Sequence, residues 1–486
     1  MFLIGRCFVG AKREDPHVIA GVSRAGAQSE VAEEAIFSLY LAGLAWVPLL
    51  YGSNTLFAWG INAVLFPALA ALYEISLLPR RKRHAVSLRH ILLPAALFAA
   101  VVVWILLQTA TWVPSSLDNP IWRMAGRALG RRVAGSISVD RDLTDFALLR
   151  LLTAASAFWL ALQLGRDGRR ARLLVGAVAA TATLYAVYGI VAATAGPFPW
   201  LDIPSEGGRV SATFVDRDSF ATYAGLGLIA LAGHVLRLYG RNGTGSDGWR
   251  LSTFSFLEAT GKGGALLFLA GFLLLAALLL SGSRGGVIAT FLGLLLLGLL
   301  TRRGSGRLKT GLKAVLVFGS FLVAVTAAVF GGSFFGSSAR RGLYDRNRMA
   351  VYVLTLRSIR DLPWLGYGYG TFADVFPMVR DRSLSVAGIW GQAHDTYLEV
   401  FQGLGLLFGS VLILSVVLLV LRCLKGAANR REGVMVPSVA ASAALLVGSH
   451  ALVDFSLQIE AVALTFVSLL GAGVAQSESS RIALED

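Results

Sequence analysis

Apolar runs of about 20 residues recur along the chain, separated by short polar breaks, and each is long enough to cross a hydrocarbon layer of roughly 30 Å. The runs fall at 35–53, 56–79, 90–112, 146–165, 173–195, 219–239, 263–281, 286–301, 312–332, 397–421, 433–453 and 459–475. They lack the strict alternation of a barrel strand, and a bilayer offers no partners to backbone polar groups, so the spans are predicted to be helices. The pattern implies an all-α, polytopic membrane protein of about 12 transmembrane helices. A single transmembrane domain is expected over 35–476, with a cytoplasmic N-terminal segment at 1–34 and a cytoplasmic tail at 477–486. Residues 1–34 do not read as a signal peptide, because Arg6 interrupts the only apolar patch and no cleavage pattern follows.

Composition supports this class. The chain is 55% hydrophobic and 15% charged, against about 25% charged in soluble domains, and its mean hydropathy is +0.66. The formal charge of +15 belongs to loops beside anionic lipid, since no soluble basic domain exists to bind nucleic acid. Arginine-rich breaks at Arg80–Arg83, Arg166–Arg172, Arg302–Lys309 and Arg422–Arg431 alternate with the other loops. The positive-inside rule places them in the cytoplasm. Lys12, Lys82, Lys262, Lys309, Lys313 and Lys425 all fall on that side or at its edge. The opposite loops, 113–145, 197–218 and 333–396, carry arginine and no lysine, which suits forked hydrogen bonding, although an arginine-rich genome gives the same bias. Cys7 and Cys423 both fall on the cytoplasmic side, so no disulfide is expected. Nothing reads as a metal site.

The largest outer loop, 333–396, lies between the ninth and tenth spans and is the longest polar interruption. It opens with Arg340, Arg341, Arg346 and Arg348 and passes through Gly366-Tyr-Gly-Tyr-Gly370. It closes on His394-Asp-Thr-Tyr-Leu-Glu399. Val351, Leu354, Leu356 and Ile359 predict a short surface helix over 349–360, ended by Asp361-Leu-Pro363. Another short amphipathic helix is expected around Trp122 to Val133. Arg284, in Ser281-Gly-Ser-Arg-Gly-Gly286 between two spans, could clamp a phosphate or simply snorkel from a helix end. His394 suits proton abstraction near neutral pH, with Asp395 or Glu399 to orient its ring, or it serves as a polar cap. His450 and Asp454 read as a structural pair or a proton site, and Asp216 and Asp218 as helix caps.

These segments together resemble the O-antigen ligase/polymerase superfamily of bacterial envelope glycosyltransferases. Ser283-Arg-Gly285 is similar to that family's Ser-Arg-Gly motif. Arg348 to Gly370 is similar to its Arg…Pro-Leu-Gly-x-Gly-x-x-x-Phe segment, with Pro363, Gly366 and Phe372 in register. His394-Asp-Thr-Tyr-Leu followed by Gly403 to Gly409 resembles its His-Asn-x-Tyr-Leu…Gly signature, and Asp454-Phe-Ser-Leu-Gln resembles the segment before its last span. Asp395 stands where the family has asparagine. Arg209 to Asp218 resembles an Arg-x-x-Gly-Thr-Phe-x-Asn-x-Asn segment, with Ala212, Asp216 and Asp218 departing from it.

The resemblance implies catalytic roles for His394, Arg284 and Arg348, with Arg209, Arg346, Tyr397, Glu399 and Asp395 as substrate-binding candidates. It implies an undecaprenyl-diphosphate-linked glycan as donor, and a lipid A core or a growing polysaccharide as acceptor. It implies no metal, no cofactor and no nucleotide sugar. The protein would sit in the bacterial inner membrane with its active site facing the periplasm. An exopolysaccharide polymerase of the same superfamily is the nearest rival. A transporter is the rival from another class, but neither related halves nor a midplane ion pathway is legible.

Overall fold

The computed structural model describes residues 16–78, 84–196, 209–242, 262–301, 346–385, 388–430 and 433–478. Among these it is helical throughout, in the order α1 (Pro16–Trp46), α2 (Leu56–Leu77), α3 (Leu92–Thr109), α4 (Pro120–Ala128), α5 (Arg141–Leu164), α6 (Gly168–Ala195) and α7 (Arg217–Asn242). There follow α8 (Lys262–Leu280), α9 (Arg284–Leu300), α10 (Arg346–Asp361), α11 (Phe372–Val379), α12 (Thr396–Asn429), α13 (Met435–His450) and α14 (Glu460–Ser477). Eight described helices are long and apolar enough to cross a membrane, and α9 and α13 are shorter apolar helices. Of the expected spans, 312–332 lies outside the described residues, as do Arg340, Arg341, Cys7 and the start of the large loop. Each other expected span overlaps a helix. Cys423 is a buried free thiol.

Short polar side chains set several helix starts. Thr55 caps α2, Asp140 caps α5, Asp167 caps α6, Ser283 caps α9 and Asp395 caps α12, each accepting from a backbone N–H of the first turn. The α10 helix spans Arg346–Asp361 and stops ahead of Pro363 as expected. The α4 helix differs from expectation. It begins at Pro120, after the Asn119 cap, and ends at Ala128 instead of continuing to Val133, because the chain reverses through Gly130 at φ +61°.

Buried share orders the bundle: 78% of the apolar windows of α7 and α14 is covered, against 22% for α3 and α12. Thus α7 and α14 form the middle and α3 and α12 face outward. Small residues allow the central crossings: a side chain at Gly473 would run into Ala440 and Cys423.

The α12 helix is broken inside. Gly405 takes φ +78°, ψ +166°, and a Cβ there would overlap the Trp364 carbonyl. The break frees backbone groups that lipid could not satisfy. The glycine-rich segment supplies partners: Tyr367 N–H donates to Gln402 O (2.9 Å), Gly368 N–H to Gly403 O (3.0 Å), and Leu406 N–H to Pro363 O (2.7 Å). The buried Gln108 amide donates to Gly403 O (2.8 Å) and Leu365 O (2.9 Å). Gly366–Gly370 is therefore the splint of a helix break, and it docks the large loop onto the bundle beside the His394 segment.

Candidate active site

At one end of the bundle α7, α9, α12 and α14 begin, α13 ends, and α10 packs alongside. The loop 391–395 enters α12 there. His394 adopts φ +57°, a left-handed conformation that costs a non-glycine residue energy unless its surroundings hold it. Several bonds do so. Tyr352 on α10 donates its hydroxyl to His394 O (2.9 Å), Glu399 accepts from Ala393 N (2.5 Å), and Thr396 N–H donates to Ala451 O (2.9 Å). The ring lies edge-on to Phe455 and Trp390, at centroid distances of 4.9 and 5.9 Å.

The ring's carboxylate partner is Asp454. His394 Nδ1 stands 3.8 Å from Asp454 Oδ1, with the histidine 25% exposed and the aspartate fully buried. Neither Asp395 nor Glu399 orients the ring, contrary to the sequence-based expectation. The Asp395 carboxylate is used as a cap, accepting from Tyr397 N (2.9 Å) and Leu398 N (3.0 Å). Burial raises its pKa, while those two N–H groups act in the opposite direction. Glu399 instead braces the loop, accepting from Ala393 N and from Gln458 Nε2 (2.8 Å). Tyr397 donates its hydroxyl to Gly448 O (2.9 Å) and ties α12 to α13.

Arg348 projects from the first turn of α10 into the same place. It donates to Asp218 Oδ2 (3.1 Å) and to Val453 O (3.0 Å), next to Asp454. Arg346, two residues earlier, is exposed. Asp216 caps α7 by accepting from Asp218 N (2.8 Å) and Ser219 N (2.9 Å), as expected. Asp218, the other candidate for that cap, is instead the ion partner of Arg348.

The turn before α9 completes the cluster. A Cβ at Gly285 would lie 2.9 Å from the His450 ring, and one at Gly282 would lie 3.5 Å from Arg209 Cδ. Glycine at 285 therefore lets the α9 start, with Arg284 as its first residue, press against His450. The His450 ring reaches Thr222 Oγ1 (2.6 Å) and lies 4.0 Å from Asp454 Oδ2. Ser456 donates its hydroxyl to that same carboxylate oxygen. His450 is thus a buried bridge between α7, α9 and Asp454. The structure brings His394, Arg348, Arg209 and the Ser283–Gly285 turn to one end, linked through Asp218, His450 and Asp454.

Asp216, Asp218 and Asp454 also place carboxylate oxygens within 4.8 Å of one another, a spacing that would suit a cation. Two of the three already bond a guanidinium or a hydroxyl. Asp216 Oδ2, Asp454 Oδ1 and His394 Nδ1 are buried without a hydrogen-bond partner among the described residues. Unspent polar atoms beside an arginine-rich pocket are where a hydroxylated or ionic substrate gains most. The sequence signals for Asp454 are its pairing with His450 and the resemblance of Asp454-Phe-Ser-Leu-Gln to a family segment, and its connection to His394 is purely tertiary.

Residues 269–413 match the family model described as Wzy_C, O-antigen ligase. The match takes in Arg284, Arg346, Arg348 and His394 to Glu399, while Arg209, Asp218, His450 and Asp454 lie outside it. No curated protein matches the chain.

Proposed function

We propose, from the premise that residues 269–413 form an O-antigen ligase domain, that the chain is a membrane glycosyltransferase moving a glycan from an undecaprenyl-diphosphate donor to an acceptor hydroxyl on the periplasmic face of the inner membrane. The observation that carries the reading is the convergence of His394, its carboxylate neighbour Asp454 and the Arg348–Asp218 pair with the α9 start. An arginine pair matches the fork geometry of a diphosphate. The helix start at Arg284 adds positive backbone dipoles. Both features stabilise a leaving group whose negative charge grows as its bond breaks.

In the proposed reaction the acceptor oxygen attacks the anomeric carbon. The bond between that carbon and the diphosphate oxygen breaks, and polyprenyl diphosphate departs against Arg284 and Arg348. The hydroxyl proton passes to His394. Nδ1 faces Asp454, so Nε2 is the nitrogen offered to the acceptor, and the carboxylate steadies the imidazolium that forms. One displacement inverts the anomeric carbon, and no residue needs to form a covalent intermediate. Arg209, beside Gly282, and exposed Arg346 would guide the anionic donor, and no cofactor or metal has a role. The ligase domain supports an enzyme over a carrier. Ligase and polymerase share this chemistry and differ only in the acceptor.

The direct test is the full chain in phospholipid nanodiscs, supplied with a polyprenyl-diphosphate glycan and candidate acceptors, without ATP, nucleotide sugar or added metal. Glycan should appear on an acceptor and polyprenyl diphosphate should be released. Release of free glycan to water alone, or transfer that requires a nucleotide sugar, would overturn the reading.

A further inference from the structure

Beside the His394 loop lies a partly open crevice of about 520 Å³ between α12 and the α13–α14 pair, with α5 as its far wall, and neither Arg284 nor Arg348 lines it. That volume lies in the range of specific small-ligand sites. The crevice has two zones. Its upper part, nearest the loop, is lined by Arg150, Gln392, Tyr397, Glu399, Gln458 and Glu460. Its lower part, running along the helices, is lined by apolar groups such as Leu412, Val416, Val420, Ala444, Ala463 and Val467. A polar top over an apolar shaft inside a membrane bundle fits an amphiphile, with its head under the loop and its chain below.

The chemistry of the upper zone selects the head. Among the described lining residues the cation is Arg150, and it is already committed. It bonds Gln458 O, lies 3.6 Å from Glu460 Oε1, and stacks over the Trp59 ring at 4.4 Å. The remaining polar groups are two carboxyls, two amides, two phenols and a threonine hydroxyl; such groups hydrogen-bond sugar hydroxyls, and carboxylates repel phosphate. The surroundings of Arg348, which lies outside the crevice lining, have the opposite preference. Gln392 and Thr396 line the crevice and flank His394 in sequence, so a head seated there lies next to the proposed base. We propose that this crevice is the acceptor site, and that it takes a membrane amphiphile with an uncharged, hydroxyl-rich head and a single hydrocarbon chain. This rests on the glycosyltransferase reading and adds to it the class of acceptor and a second entry route, separate from that of the donor.

The test measures binding, so it does not depend on transfer. The full chain in phosphatidylcholine nanodiscs, free of glycoside detergent, is irradiated with a dodecyl glucoside carrying a diazirine in its chain. Labelled peptides are then mapped with and without competitors. Labels should fall on α5, α12 and α14, and unlabelled dodecyl glucoside should displace them while farnesyl diphosphate does not. Ala463→Trp fills the shaft and should weaken labelling about tenfold or more, and Ala444→Leu, a smaller change that keeps the fold if the first does not, should weaken it less. Displacement by farnesyl diphosphate would make the crevice a donor-chain site and overturn the proposal. Labels spread over the outer helices, indifferent to competitor and to both substitutions, would mark an adventitious additive only and also overturn it. If labelling behaves as expected but no acceptor is ever glycosylated, the site stands and the transfer reading fails.

Discussion

The loop carrying His394 has two unlike sides. On one, Arg348 meets Asp218 at 3.1 Å, and Asp454 stands 3.8 Å from the imidazole. There Asp216 Oδ2, Asp454 Oδ1 and His394 Nδ1 are buried without a hydrogen-bond partner among the described residues. On the other, Glu399 spends its carboxylate on Ala393 N and Gln458, and the space below is apolar. The first side is built to hold charge, and the second is braced by its own bonds and opens onto an apolar shaft lined by described residues of α12, α13 and α14. In the proposed reaction one base serves two lipid-borne substrates that are kept apart by charge, with His394 on the loop between the two sites. His394 holds its left-handed φ at the junction of the loop and α12, where the bonds from Tyr352, to Glu399 and to Ala451 fix the backbone on either side of it.

Removing the ring should have the largest effect. In His394→Ala, transfer should fall by about 10²–10⁴-fold, the usual worth of general-base help. Binding should survive on both sides, with a polyprenyl diphosphate still held by the arginines and the neutral glycoside still labelling the crevice. Parallel loss of both binding activities would mean that the ring holds the loop together rather than doing chemistry. Near-native transfer would remove it from the mechanism.

A second substitution asks whether Asp454 belongs to the charged side or merely to the core. Asp454→Asn keeps the shape, and the Ser456 contact can survive it. If the carboxylate steadies the imidazolium, kcat should drop by about 10²-fold with donor KM little changed. A variant that loses folded protein in proportion to activity, with kcat per folded molecule unchanged, would assign Asp454 to packing alone. The 3.8 Å separation is longer than a hydrogen bond, as catalytic pairs often are before substrate binds.

This pair also marks how far the chain could be read without coordinates. The helices were legible because their physics is local: apolar length for the spans, Val351, Leu354 and Ile359 for α10, and Pro363 for its end. Motif resemblance singled out His394, Arg348 and Arg284. What escaped is what depends on distant segments meeting. Asp395 and Glu399 were the nearest carboxylates in sequence, yet helix capping and loop bracing had the stronger geometric claim on them. Asp454, from the far end of α13, reached the ring instead. Asp216 and Asp218 are equal candidates for the α7 cap in the sequence, because the Asp216-Arg-Asp218 pattern fits either residue; the local backbone uses Asp216, which leaves Asp218 to Arg348. The glycines at 366–370 carry part of the motif resemblance, and they serve a break at Gly405 that no local rule announces. The crevice could not be read at all, since it is a gap between four helices.

The smallest expected effect concerns Asp216, which lies at the edge of the charged side without touching Arg348 in the way Asp218 does. Burial pushes its carboxyl up from 3.8 to about 8, and the negative charge of Asp454 pushes in the same direction, against the bonds from Ser219. A pKa raised by folding means that the native state holds a proton the unfolded chain has released. The resulting stability is full below the unfolded value and disappears as pH rises through the folded one. The apparent melting temperature of the wild-type protein should therefore decline between about pH 4 and pH 8. Asparagine caps helices as well as aspartate does, so Asp216→Asn should retain the α7 start, carry no titrating group there, and melt with a shallower pH slope. An equal slope in both proteins would place the titration elsewhere. A steeper fall in the variant would mean that the Asp216 carboxylate is ionised and held by the neighbouring arginines, which would extend the charged side of the loop by one more member.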